Sequence, residues 1–599
     1  MIYHCEDHTC NYWDEGEKLP ERCPQCGRKL LRANEADMTG DDWTALGNTL
    51  WDAEASDKKR MVDCFRKAAY LGSAWGVCNL GICMEQGNGV EADPVQAFWL
   101  YQQAVEMGSL NAVCCLGVCY EYGIGTAPDA EKAAELYCKA AEYGSPRGQM
   151  LLAHAFHDGI GVEADAAEAV NWVRAAAYQR YGEGMHRLGI CYEYGDGVEQ
   201  NWERAVHWFR EAAESGVSAA MADLGYCYET GCGVEQSWEQ AFSWYRRGAE
   251  CGNLRSMHNL GWCYEKGYGV EQSWEQAFSW YRRGAECGYP VSMSNLGLCY
   301  KRGYGVEQNW QEAIKWYEQG AQCGDLQSMH NLACCYERGE GVEQNEERAL
   351  YWYRRGAEAG SDYCMYCLGW NYSNGEGVEQ NMTEAIRWYT AAAEGGNADA
   401  MHNLGWLYDH GEGVEQDMKK AICWYERAAE QNHPAAMNSL GECYAMGRGV
   451  PRDLETAMEW YRRAAELGEA MADYNMGWHL EQAGKLSEAY AHYRKAADGN
   501  DDSAWWALGR FYENGVVVAQ DGKEARRCYE TGEKLGSVKC KMRLARCKLL
   551  GIGGRRAKKA GLDLCRQALE LAKESSEKED YGYEAEMNLL RRTIAENES

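Results

Sequence analysis

The sequence predicts an all-α solenoid of about fifteen antiparallel helix hairpins, preceded by a small zinc ribbon. Three observations carry that expectation. A Leu-Gly pair recurs every 36 residues from Leu80-Gly81 to Met476-Gly477. Two segments, Gly233–Gly252 and Gly269–Gly288, both read GVEQSWEQAFSWYRRGAECG, an identity that tandem duplication produces and chance does not. Only 8 of the 599 residues are Pro while 67 are Gly, as expected where nearly everything outside short loops is helix interior.

Residues 1–32 form the first unit. They carry Cys5-x4-Cys10 and, after a short loop, Cys23-Pro24-Gln25-Cys26-Gly27. Four thiolates in two pairs suit tetrahedral Zn²⁺, and Gly27 permits the tight turn that aims backbone N–H groups at sulfur. Cys5, Cys10, Cys23 and Cys26 are therefore the expected ligands of one structural zinc ion, with His4 and His8 as competitors for the first pair. So short a segment builds no core without metal and is expected to fold only when loaded. A linker at 33–40 leads into the array.

The repeats span 41–573. Besides the strict run, Leu46-Gly47 precedes it and Leu508-Gly509 and Leu544-Ala545 follow it. The pair weakens to Leu152-Ala153 and Leu332-Ala333. In the unit Asn253–Gly288, Leu260, Gly261 and Tyr264 share one face of a first helix. Gly267-Tyr268-Gly269-Val270 ends it, because glycine reaches the left-handed backbone a tight exit needs. Ser273 and Gln276 have the spacing of a capping box, and Ala277, Trp280, Tyr281 and Ala285 make the buried stripe of the second helix. Gly261 is expected to let the paired helix approach. One hairpin cannot bury its own apolar face, so stacking supplies the core. An acidic helix at 574–599 is expected to cap the last hydrophobic face.

The pattern A-x-x-N-L-G-x-x-Y-x-x-G-x-G-V-x-x-x-x-x-x-A-x-x-W-Y-x-x-A-A-x-x-G resembles the Sel1-like repeat family, a 36-residue relative of the tetratricopeptide repeat. The resemblance covers about nine-tenths of the chain. It implies a right-handed superhelix that serves as an adaptor or scaffold in protein assemblies. Between Met476 and Leu508 the shorter turn Gln482-Ala483-Gly484-Lys485 departs from the pattern.

In related solenoids the first helices line the concave surface, which puts the positions two before and two after each repeat Leu in the groove. The first column holds His186, Ala222, His258, Ser294, His330, Tyr366, His402 and Asn438. The second holds Trp262, Trp370, Trp406 and Trp478 among others, with Glu265 and Asp409 further round. Exposed aromatics beside carboxylates favour peptides that carry Arg or Lys next to an apolar residue. The histidines, two repeats apart, are about 20 Å from one another if helical layers are about 10 Å thick, too far to share a metal. Trp244, Trp280, Trp316, Trp352, Trp388, Trp424 and Trp460 sit in the repeat motif and are expected to be core.

Net charge is −31, which disfavours bulk binding to nucleic acid or anionic membranes and favours basic, apolar protein or peptide partners. No stretch is long and apolar enough for a membrane span. The N-terminus has no basic segment leading an apolar run, so no secretory signal is expected. With 29 cysteines, most at one repeat position, a reducing cytoplasm with buried free thiols is expected. From Lys539 to Lys559 nine basic residues occur without an acidic one, a candidate surface for self-association. No nucleotide, hydrolase or metalloprotease motif is present, so the chain is expected not to be an enzyme. Two other readings stay open. The ribbon contacts nucleic acid while the repeats recruit proteins, or the chain handles cell-wall or β-lactam ligands as some cysteine-rich Sel1-like proteins do.

Overall fold

The computed structural model describes residues 2–5, 13–15, 30–32, 38–51, 55–578 and 584–598. The chain divides into two compact units, Met1–Asn309 and Trp310–Ser599.

The first unit opens with three short strands, β1 (Ile2–Cys5), β2 (Trp13–Glu15) and β3 (Leu30–Arg32), in the order β2-β1-β3 with both pairings antiparallel. The array itself is all-helical, as expected. β2 lies against the first helix, Gly40–Thr49. Seven hairpins follow, from Gly40–Thr49 with Ala55–Tyr70 to Leu254–Lys266 with Trp274–Glu286, and then the single helix Pro290–Arg302. The second unit begins with Trp310–Gln322 and continues through seven hairpins, the last being Val538–Leu550 with Lys558–Lys578. The final helix, Glu584–Glu598, packs on both helices of that last hairpin. Lys558–Lys578 runs on past residue 573, where the array was expected to stop.

Each second helix packs on the first helix of its own hairpin and on that of the next within its unit. In the first unit the first helices also touch one another directly, as Ala74–Gln86 touches Leu110–Tyr122, so they form the tighter of two layers.

One residue on the second helix organises the interior. Tyr101, Tyr137, Tyr245, Tyr281, Tyr317, Tyr353, Tyr389, Tyr425, Tyr461, Tyr493 and Tyr529 are all fully buried there. In most of these hairpins the ring lies against the glycine of the repeat's Leu-Gly pair, or of Met476-Gly477. A Cβ added at Gly261 would stand 2.7 Å from the Tyr281 ring, so it is this ring, more than the helix backbone, that requires glycine. Burial of such a ring contributes about 1.5–3 kcal/mol per hairpin.

The loop chemistry differs in detail from the expected capping box. The Ser273 hydroxyl accepts from the Gln276 backbone N–H at 3.3 Å, but the reciprocal Gln276 side-chain bond is not made. Instead the preceding residue, Gln272, donates its side-chain amide to the Glu265 carbonyl at 2.7 Å. The same bond recurs from Gln200, Gln236, Gln308, Gln380, Gln416 and Gln520, each seven residues after its acceptor. It satisfies one of the orphan carbonyls at the end of the first helix.

Candidate functional site

The two columns expected to line the groove behave differently. The position two before the repeat Leu is largely interior. Ala222, Ser294 and Asn438 are buried, and the histidines lie against the aromatic ring of their own hairpin. His186 meets Phe209 at 5.8 Å, His258 meets Tyr281 at 5.5 Å, His330 meets Tyr353 at 6.1 Å and His402 meets Tyr425 at 5.7 Å, centroid to centroid. Burial pushes the His258 and His402 imidazoles down to about 4, so both are neutral packing groups at pH 7. His258, His330 and His402 are half-buried, each set against the tyrosine ring of its own hairpin. A column one turn further along the helix would have been needed to reach solvent.

The position two after the Leu is open. Trp370 is 45% exposed, Trp406 39% and Trp478 43%. Tyr226 and Leu298 stand exposed at the same register in the first unit. Trp262 is half-buried, with its ring 5.6 Å from that of Trp238 and 5.0 Å from that of Tyr268. Trp406 stacks on His410, with centroids 4.3 Å apart and planes 23° off parallel. That leaves its other face free of this stack.

The carboxylates read as flanking groups have partners inside the array. Glu265 accepts from the Tyr281 hydroxyl at 2.9 Å, and Glu229 from Tyr245 at 2.6 Å. The same pairing joins Tyr101 to Glu85, Tyr137 to Glu121, Tyr493 to Glu481 and Tyr529 to Glu513 at 2.6–2.8 Å. Tyr353 reaches Glu337 only at 3.3 Å; in that hairpin Ala333 replaces the glycine under the ring and adds a methyl group. Asp409 is 4% exposed and takes Arg448 at 3.0 Å. Glu265 and Asp409 therefore hold the scaffold together and are not free counter-charges for a ligand. The pairing is absent from any local motif because its partners lie on different helices, sixteen residues apart in most hairpins and twelve in the one with the shorter turn.

The motif tryptophans also need correction. Only Trp244 is buried; Trp280, Trp316, Trp352, Trp388, Trp424 and Trp460 are half-buried on the outer helix surface. Most carry an arginine over the ring, at 4.2 Å for Arg247 on Trp244, 4.4 Å for Arg427 on Trp424 and 4.5 Å for Arg463 on Trp460. The adjacent tyrosine takes the core position instead.

Cys83, Cys119, Cys191, Cys227, Cys263, Cys299, Cys335 and Cys443 are buried free thiols. Burial pushes those at 119, 227, 263 and 299 up to about 12, where they behave as small apolar groups. Among the described residues no cluster of three His, Cys, Asp or Glu has the arrangement to hold a metal. Of the expected zinc ligands, Cys10, Cys23 and Cys26 lie outside the described residues, and for Cys5 only the backbone is described.

The basic stretch 539–559 is partly consumed internally. Arg543 donates to Glu586 at 2.8 Å and lies 3.3 Å from Glu513, which also pairs with Arg546. Arg556 donates to Asn597 at 2.6 Å, and the Lys539 ammonium sits 5.3 Å over Trp506. Among the described residues no helix is long and apolar enough to cross a membrane.

The Sel1 repeat model matches thirteen successive segments between residues 76 and 537. The chain is similar to c5321, a protective antigen of uropathogenic Escherichia coli whose crystal structure displays an SLR fold. Identity is 32% over 75% of this chain and 97% of that one, with a TM-score of 0.50. It is also similar to a Sel1 repeat protein from Oxalobacter formigenes, at 30% identity over 41% of this chain and 96% of that one, with a TM-score of 0.38. No curated protein matches. Sel1 repeat proteins are non-enzymatic scaffolds for protein–protein interaction, and on the thirteen matched segments this chain belongs to the Sel1 repeat family.

Proposed function

We propose that this scaffold takes its partner on the exposed aromatic column of the first helices. The observation that carries the reading is the register of Trp370, Trp406 and Trp478, each exposed at the same position of its hairpin. Tryptophan is the residue type that most often dominates an interface once desolvated. With a net charge of −31, the surface steers basic partners, so the ligand is a protein or peptide that presents apolar side chains beside Lys or Arg. Capture from native extract with intact protein and with W370A/W406A tests this. Partners retained by the first and lost by the second are expected, with unchanged helicity. Equal retention by both would move recognition to another face.

We further propose that Cys5, Cys10, Cys23 and Cys26 hold one structural Zn²⁺. Their spacing supports it, as does the antiparallel sheet whose central strand ends at residue 5. One zinc per chain is expected by elemental analysis, and none in C23S/C26S; a metal-free wild type would end the idea. The free thiols packed through the array support work in a reducing compartment such as the cytoplasm.

A further inference from the structure

One hairpin of the first unit breaks the interior rule at three coupled positions. In the hairpin of Pro146–Asp158 and Ala166–Tyr178, Val173 stands where its neighbours place Tyr137 and Phe209. Ala153 replaces the glycine that a ring requires. His157 replaces the glutamate that accepts from the tyrosine hydroxyl, as Glu121 accepts from Tyr137 at 2.6 Å in the preceding hairpin. The ring, its seat and its acceptor are thus all exchanged together.

A cavity of about 370 Å³ occupies this place, within the range of roughly 300–1,000 Å³ typical of ligand pockets. Its floor is apolar and buried, from Ala153, Ala169, Val170, Val173 and Cys191. Its mouth is polar, with His154, His157 and Asp158 exposed and Arg187 and Asp196 half-buried. His154 Nε2 lies 2.9 Å from Asp158 Oδ2, and the two ring nitrogens of His157 face Asp158 and, at 3.1 Å, Asp196. Arg187 stands 3.8 Å from Asp196. At the register of Asp158, the neighbouring hairpins place Tyr122 and Tyr194, 65% and 73% exposed.

We propose that this cavity binds a phenol ring, supplied by a small molecule or by a tyrosine side chain, in the space that the array elsewhere fills with its own tyrosine. The chemistry of the lining matches. The apolar floor accepts the ring by dispersion and burial. The carboxylates of Asp158 and Asp196 accept from the hydroxyl, as a glutamate does in the filled hairpins, and a bond to a charged acceptor is stronger than a neutral one. Toluene offers the ring without the hydroxyl and leaves that bond unmade.

Ligand-observed saturation-transfer NMR on the full chain tests this with p-cresol, toluene and N-acetyl-tyrosine methylamide. Saturable p-cresol binding is expected, at least tenfold tighter than toluene. It is expected to be lost in A153G/V173Y, which rebuilds the filled hairpin and should also raise the unfolding midpoint. The single variant V173F, which fills the ring space without touching the mouth, should block binding too. Methylamide binding tighter than p-cresol would assign the pocket to a tyrosine side chain, and p-cresol binding alone to a free phenol. No saturable p-cresol binding, equal affinity for toluene, or undiminished binding in both well-folded variants would overturn the proposal. W370A/W406A alters only the second unit and should leave p-cresol binding unchanged, so this result and that for the tryptophan column are read separately.

Discussion

Tyr281 shows what a single residue does in this architecture. Its ring demands a glycine opposite, at Gly261. Its hydroxyl bonds Glu265, and its face meets His258. Tyr281→Phe keeps the ring and loses the hydroxyl bond, leaving the Glu265 carboxylate without one of its partners; the expected cost is about 1–2 kcal/mol. Tyr281→Ala adds a cavity and should cost about 3–5 kcal/mol. Chemical denaturation of the two variants checks both values, and equal destabilisation would mean that the ring contributes nothing beyond the bond. The buried column of tyrosines was legible, because the buried stripe of the second helix follows from periodicity. Its hydroxyl partner was not. A bond across sixteen residues joins two helices whose relative rotation the sequence does not state, and the acidic residue read naturally as solvent-facing.

At the scale of the element, the hairpin boundaries were legible almost to the residue, since glycines with left-handed backbone mark most exits and side-chain caps mark most entries. Which face of the first helix meets solvent was not. Two columns four residues apart lie one turn from each other, and only stacking decides that the earlier one is covered by a ring from the second helix. The break in the pattern at Leu152-Ala153 was visible as a weakened repeat; its meaning required Val173, twenty-one residues on, to be read with it. The last helix offers a test of element docking. Glu586 is 7% exposed and faces Arg543, itself also paired to Glu513. Removing one member of such a buried pair typically costs about 3–5 kcal/mol, because the other charge is stranded. Glu586→Ala is therefore expected to speed hydrogen exchange throughout Glu584–Glu598, while Glu586→Gln, which keeps a hydrogen-bond acceptor, does so less. Unaltered exchange in both would show that Met587 and Leu590 hold the helix unaided.

For the whole molecule, stability accrues one neighbour at a time. Helices Trp238–Glu250 and Trp274–Glu286 share the sequence WEQAFSWYRRGAE, so excising residues 254–289 brings Pro290–Arg302 against a helix identical to the one it now meets. That shortened chain should fold cooperatively with the same helical content per residue by circular dichroism. Excising 254–283, which is not a whole repeat, should not. Comparable folding of the two would contradict the nearest-neighbour account. The repeated segment has a further consequence for the gene. Two stretches that encode the same twenty residues one repeat apart invite misaligned exchange during recombination, and each such event adds or removes a hairpin in frame, with its seam already solved. The length of this scaffold can thus change by whole hairpins without passing through unfolded intermediates, while the cavity beside Val173 and the tryptophans from 370 onward lie outside the interchangeable block and are carried along intact.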